Sequence, residues 1–207
     1  MKRVIVLYAT REGQTRRIAE HVAATMRARD IPVDVVDVKH PPEGFTLDGY
    51  SAAVVAASIH LGRHEREMIT FVKRHRADLE ALATAFLSVS MAEAGAENVW
   101  STPEARATGA EEVQVAIQKF FAETGWHPAR VRPIAGALLY RQYGFLTRLV
   151  MRGIAKRKGG DTDTSRDFEY TDWEALDRFV GELAEEVQSR AEDGGGVTSL
   201  SRARTTC

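Results

Sequence analysis

The chain alternates short, unbroken apolar runs with stretches in which apolar residues recur every three or four positions. Val4-Ile5-Val6-Leu7-Tyr8-Ala9 is a continuous apolar run of strand length, the pattern of a strand buried on both faces. From Gln14 to Arg29, Ile18, Val22 and Met26 fall at four-residue steps beside Ala19 and Ala23, which predicts an amphipathic helix. Val33 to Val38 alternates Val with Asp34 and Asp37 and reads as a second strand at a sheet edge, followed by a Pro41-Pro42-Glu43-Gly44 loop. Ala52 to Ala57 is a third strand, with a helix over about Glu65 to Leu79. Ala83 to Val89 is a fourth, with a helix from about Pro103 to Glu123, and Val131 to Leu138 a fifth. Thr171 and Glu174 have the spacing of a capping box at the head of a final helix whose inner stripe is Leu176, Phe179, Val180, Leu183 and Val187.

Strands separated by helical stretches of this length imply right-handed crossovers and a parallel sheet. Five strands with flanking helices suit an α/β doubly wound fold of order 2-1-3-4-5, in which ligands bind beyond the carboxyl ends of the strands where the order reverses. The loops after strands one, three and four are therefore the ones to search. One domain over residues 1–190 is expected, with an insert at about 139–170 and a disordered tail at 191–207, where Gly194-Gly195-Gly196 and a Ser/Thr/Arg run lie.

Composition narrows the classes. With 28 Lys+Arg against 29 Asp+Glu the formal charge is −1, which argues against a nucleic-acid partner for the chain as a whole. The single cysteine, Cys207, allows neither an internal disulfide nor a cysteine-based zinc site. The first apolar run is too short for a signal-peptide core, and no run approaches the roughly 18–20 apolar residues of a membrane-spanning helix. Cytoplasmic residence is expected, with room for peripheral attachment to a membrane.

The loop after strand one, Thr10-Arg11-Glu12-Gly13-Gln14-Thr15, places two hydroxyls around a glycine at the start of a helix. Free backbone N–H groups and the helix dipole make such a terminus a phosphate site, and Gly13 lets the backbone turn tightly. The plainer alternative is that Thr10 merely caps the helix. No G-x-x-x-x-G-K-[ST] and no G-x-G-x-x-G follows strand one, which excludes the nucleotide-triphosphate and dinucleotide fingerprints.

Thr10 through Ala19 resembles the FMN phosphate loop of flavodoxins. Within that superfamily the chain is similar to the menaquinone-dependent protoporphyrinogen oxidases (protoporphyrinogen IX dehydrogenases) over about residues 2 to 188. The similarity rests also on Val54 to Gly62, on Ala135-Gly136-Ala137-Leu138 with Tyr140, and on Gly159 to Thr164 followed by Tyr170 to Glu174. This resemblance implies an FMN-dependent enzyme that oxidises protoporphyrinogen IX to protoporphyrin IX in haem biosynthesis and passes electrons to a quinone. It implies that FMN phosphate meets Thr10, Arg11, Glu12, Gly13, Gln14 and Thr15. The isoalloxazine would lie between Ser58, Ile59, His60, Leu61, Gly62 and Ser88, Val89, Ser90, Met91, Ala92. Flavodoxins often stack a Trp or Tyr on the flavin from these loops; His60, Leu61 and Met91 stand there in this chain. His60 and His64 titrate in the range useful for proton transfer, but the sequence marks no residue as general base. Four residues apart, they lack the further ligands a metal site needs.

Between Trp126 and Gly160 lie eight Lys/Arg and no Asp or Glu. A one-signed stretch in a near-neutral chain marks an anionic partner. Phe145 to Lys158 has helical periodicity, with Arg148, Arg152 and Lys156 in a row opposite its apolar side. Three readings stay open: a solvated face of a packed helix; a lid whose Arg141, Arg148 and Arg152 pair with substrate carboxylates; and a helix docking on anionic lipid, where a quinone is reached. Three other functions compete on the same fold: an electron carrier of the flavodoxin type, a quinone or small-molecule reductase, and a domain that has lost FMN and works only in binding. Oligomeric state is not legible.

Overall fold

The computed structural model describes residues 3–98, 101–141 and 163–195, with side chains to residue 189. The first strand, β1 (Arg3–Ala9), leads through a short loop into α1 (Gln14–Arg27) and β2 (Val33–Asp37). There follow β3 (Tyr50–His60), the two-residue β4 (Arg63–His64), α2 (Arg66–Arg74) and α3 (Arg76–Glu80). Then come β5 (Ala83–Ser90), α4 (Met91–Glu97), α5 (Pro103–Thr124) and β6 (Arg130–Ala135). The described chain closes with β7 (Ala137–Leu138), β8 (Phe168–Glu169) and α6 (Trp173–Gly195).

The main sheet runs β2-β1-β3-β5-β6, all parallel, which is the 2-1-3-4-5 order expected, with β4 added as an antiparallel partner of β3. Residues 4–9 of β1 are buried on both faces, as their unbroken apolar run requires. Val4, Val6 and Tyr8 pack with Ala52, Val54 and Ala56 under Ile18, Val22, Val180 and Leu183 of α1 and α6. Ile5, Leu7 and Ala9 pack on the opposite face with Phe86, Met68, Val72, Ile117 and Phe120. β2, with its alternating Asp, takes the edge.

Four boundaries differ from expectation. β3 extends to His60 because residues 59 and 60 continue into an antiparallel pairing with His64 and Arg63. The fifth strand stops at Ala135: the Gly136 N–H donates to the Ser90 carbonyl at 2.9 Å, and residues 137–138 pair instead with 168–169 in a separate sheet. The helix expected over 65–79 divides at His75 into α2 and α3. Last, α6 continues through 191–195, past the point where the tail was expected to begin; extending a formed helix costs little per residue.

Candidate functional site

The loop between β1 and α1 is built for an anion. Gly13 is the residue preceding α1, at φ +91°, a conformation open mainly to glycine, and its N–H donates to Thr10 Oγ1 at 3.0 Å. Thr10 thus braces the turn rather than capping the helix, whose N-cap is Gly13 with no side-chain bond, and the first-turn N–H groups of α1 have no carbonyl within the helix to meet. Thr15, 1% exposed, carries a buried Oγ1 with no hydrogen-bond partner. A phosphate oxygen at this terminus would satisfy that hydroxyl and the dipole together, so the residues present fit the phosphate of FMN.

The longer side chains of the loop are committed elsewhere. Arg11 Nε donates to Glu65 Oε2 at 3.0 Å, and Glu12 Oε1 lies 2.6 Å from His60 Nε2. Gln14 Nε2 donates to Glu169 Oε1 at 2.7 Å and to Thr171 Oγ1 at 3.0 Å. These residues therefore offer a ligand chiefly their backbone.

After β3 the chain makes a tight hairpin. Ile59 faces His64 and His60 faces Arg63, leaving Leu61 and Gly62 as the turn, with φ of +48° and +72°. Positive φ at both positions is the primed type that matches strand twist. Glu65, just beyond, is 3% exposed; its N–H donates to the Ser58 carbonyl at 3.1 Å. Its carboxylate accepts from Ser58 Oγ at 3.1 Å and from Arg11, so one buried acid joins the phosphate loop to the end of β3. The hydrogen bond to Glu12 raises the pKa of His60 above its ordinary value, against the opposing effect of burial.

His64 has a different role. It is 3% exposed, its ring packed 5.1 Å from that of Phe86 and 5.0 Å from that of Phe120, and its Nε2 lies 2.9 Å from Ser88 Oγ. Burial lowers its pKa to about 4. His60 and His64 thus belong to separate environments, and the described residues contain no cluster of three metal-binding side chains.

The third wall follows β5. Ser88 and Val89 have buried side chains, Ser88 engaged with His64 and Val89 in the core, while Ser90 Oγ accepts from the Glu93 N–H and caps α4. Met91 packs on a small cluster of Ala137, Leu138, Leu139 and Tyr140 with Phe168 and Tyr170. Burial, then the neighbouring Glu97, raises the pKa of the Glu93 carboxyl, with Arg132 acting in the opposite sense.

The expected capping role of Thr171 is corrected here. Its hydroxyl donates to the Ala135 carbonyl at 2.7 Å, and Asp172 Oδ1 accepts instead from the Ala175 N–H at the head of α6. Being buried, Thr171 is drawn to the sheet end, whereas Asp172 is exposed and free to cap. Of the proposed substrate residues, Arg141 is exposed, its N–H on Asp167 Oδ1 at 2.8 Å and its Nε on the Ser165 carbonyl at 3.3 Å. Arg148, Arg152 and the rest of the basic helix lie outside the described residues.

A cleft of about 340 Å³ opens between Ala9, Thr10, Arg11, Lys39, Glu65 and Glu67, against the phosphate loop. A larger one of about 590 Å³, between the loop of residues 38–45 and α2, includes none of the expected cofactor residues. Glu65, Glu169 and Thr171 are the site residues that sequence reasoning missed. A lone acid carries no periodic or spacing signal, the capping-box spacing of Thr171 pointed to another role, and only the folded chain brings residues 169 and 171 to residue 14.

Comparison with known proteins gives the family and the fold. Residues 5–165 match the flavodoxin domain family. The protoporphyrinogen IX dehydrogenase [quinone] of Escherichia coli (strain K12) is 35% identical over 182 residues, 88% of this chain and 94% of its own. That of Leishmania major is 32% identical over 181 residues, 87% of this chain and 74% of its own. Oxidised Flavodoxin 1 from Bacillus cereus superposes with a TM-score of 0.51 at 16% identity, over 89% of this chain and 98% of that one, a likeness of fold.

Proposed function

Because the chain belongs to the flavodoxin domain family, and within it to the protoporphyrinogen IX dehydrogenases [quinone], we propose that it binds FMN and oxidises protoporphyrinogen IX to protoporphyrin IX, with a quinone as electron acceptor. The observation that carries this reading is the 35% identity to the Escherichia coli enzyme over 88% of the chain and 94% of its own length. Bound FMN supplies the two-electron acceptor that neither the apolar core nor any side chain here can provide.

The chain's own residues do the holding. Thr10 and Gly13 shape the phosphate loop, and the Thr15 hydroxyl and the first-turn N–H groups of α1 would hold the phosphate. The backbone of Ser58 to Gly62 and that of Ser88 to Ala92 would hold the ring system. The Glu65 carboxylate keeps the first two of these segments in register through Arg11 and Ser58. We assign the propionate contacts to Arg141, at the border of the basic insert, and to Arg148 and Arg152 beyond it in sequence, because a guanidinium suits a carboxylate. Among the described residues no helix is long and apolar enough to cross a membrane. The eight cations of residues 130–158 favour peripheral attachment to an anionic leaflet on the cytoplasmic side, where a quinone is within reach.

The test is direct. FMN-loaded protein is incubated anaerobically with protoporphyrinogen IX and a menaquinone analogue, and porphyrin fluorescence is followed. Formation well above that of an FMN-free control is expected; a rate equal to that of the control removes the activity. Attachment is tested separately with vesicles containing phosphatidylserine: Arg148→Glu with Arg152→Glu should abolish co-sedimentation, and unchanged sedimentation refutes lipid contact.

A further inference from the structure

The larger cleft, of about 590 Å³, takes no part in the flavin site described above. Its floor is apolar and aromatic. Val38 and Phe71 are buried, and the Phe71 ring lies 5.7 Å from that of Phe45 and 4.5 Å from that of His75. One wall is the loop after β2, stiffened by Pro41-Pro42 and closed by the Phe45 N–H donating to the Pro42 carbonyl at 3.2 Å. The other wall is α2, from which Arg66, Thr70 and Arg74 line the cleft at four-residue steps, one row of the helix. The two arginines are thus separated by about 12 Å of helix rise.

The fold does not account for the cations of this cleft. Lys39 on the loop and Arg66 and Arg74 on α2 form no ion pair among the described residues, although the nearby Arg63 and Lys73 both reach Glu123 and Arg76 reaches Glu80. Arg66 also stands in the first turn of α2, at the positive end of the helix dipole, where a cation is locally unfavourable. Glu67, half-buried, is the one acid lining the cleft, against these three cations. A concavity of this size, with an apolar floor and a few convergent polar groups, has the form of a small-molecule site. We propose that it binds a flat aromatic acid whose ring lies over Phe45 and Phe71 and whose carboxylates, at opposite ends, pair with Arg66 and Arg74, while Lys39 adds positive charge from the opposite wall. The cleft shares Lys39 and Glu67 with the smaller one at the phosphate loop, so its occupant sits beside the cofactor segments and not within them. The inference is independent of the proposed reaction.

The experiment titrates the isotope-labelled, FMN-loaded full chain with a naphthalene dicarboxylate bearing its carboxylates at opposite ends, and follows the amide NMR signals. Saturable shifts are expected at Gly44, Phe45 and Thr70, with a dissociation constant of about 100 µM or tighter. The corresponding neutral diamide should bind at least about tenfold more weakly, and Arg66→Glu combined with Arg74→Gln should weaken the dicarboxylate by a similar factor. Arg66→Glu alone should weaken it about threefold or more, and because it relieves the clash with the helix dipole it should keep the native amide spectrum. Porphyrinogen oxidation in both variants should stay within about twofold of wild type. No saturable shift at these three amides, equal affinity for the diamide, or unchanged affinity in both variants overturns the inference. Wild-type protein that binds the dicarboxylate as expected but oxidises no porphyrinogen supports the cleft and overturns the proposed reaction alone, because binding is read without turnover.

Discussion

Protonating His64 should destabilise the protein, and the cost follows from where the ring sits. The imidazole is 3% exposed between Phe86 and Phe120, and burial lowers its pKa from 6.5 to about 4. The unfolded chain binds this proton as pH falls through 6.5, whereas the native protein resists it until near 4. Between those values the unfolded state holds more protons, so stability falls as pH drops through that window. With these two pKa values, linkage gives a loss of about 2–3 kcal/mol between pH 7.5 and 4.5 from His64 alone. His64→Gln removes the titration while leaving an amide able to meet Ser88 Oγ, which would otherwise be buried without its 2.9 Å partner. Urea unfolding of both proteins at the two pH values, at one fixed FMN concentration, isolates the term, because the other titrating groups are common to both. The wild type should lose about 2–3 kcal/mol more than the variant on acidification. Equal losses, within about 0.5 kcal/mol, would falsify the account of a neutral core histidine.

Three further outcomes follow from the site. Glu65→Gln replaces the carboxylate that pairs with Arg11 by a neutral amide with one acceptor oxygen where two served Arg11 and Ser58, so FMN affinity should fall about tenfold and stability by about 1–2 kcal/mol, read by flavin fluorescence titration and urea unfolding. The raised pKa of His60 means that its pairing with Glu12 is fully present below 6.5 and is lost as pH rises through the higher folded value. In Glu12→Gln the NMR titration of His60 should move to lower pH, and an unmoved curve would show that Glu12 is not the cause. Gly109→Ala puts a Cβ 2.7 Å from the Ala92 carbonyl oxygen and 3.0 Å from the Ala96 nitrogen, backbone atoms that cannot swing aside. It should cost about 1–3 kcal/mol by thermal unfolding, with α4 displaced beside Met91 and Ala92.

The architecture was legible because each central strand is buried on both faces and so reads as an unbroken apolar run, while β2 announces its edge place through Asp34 and Asp37. The same property hid other features. In a continuous apolar run nothing distinguishes Ala135 from Ala137, so the change of sheet at Gly136 has no periodic signature. The hairpin at 61–62 escaped notice because Leu-Gly lacks the residue pair that ordinarily marks a primed turn. Thr171 and Glu174 carry capping-box spacing, but a buried acceptor at Ala135, supplied by a distant strand, claimed the threonine. The phosphate loop was legible from Thr10, Gly13 and Thr15. The acid that braces it was not, since Glu65 lies in an ordinary charged run, His64 to Glu67.

The partners of the phosphate loop suggest how the site is kept in shape. Arg11, Glu12 and Gln14 each reach a different element: the start of α2, the end of β3, and the β8 segment. All three side chains are thereby engaged, so what the loop has left to offer a phosphate is chiefly backbone N–H groups and threonine hydroxyls. Polar links between elements are individually weak, about 1 kcal/mol net for an ordinary hydrogen bond, and so add little to a core of this size. Their value lies in position, because a phosphate held by several N–H groups loses all of them together when the loop shifts by a fraction of an ångström. On this reasoning the charged side chains of Arg11 and Glu12 act on cofactor binding through the walls they hold, and the loop recognises phosphate chiefly by the shape its backbone is made to take.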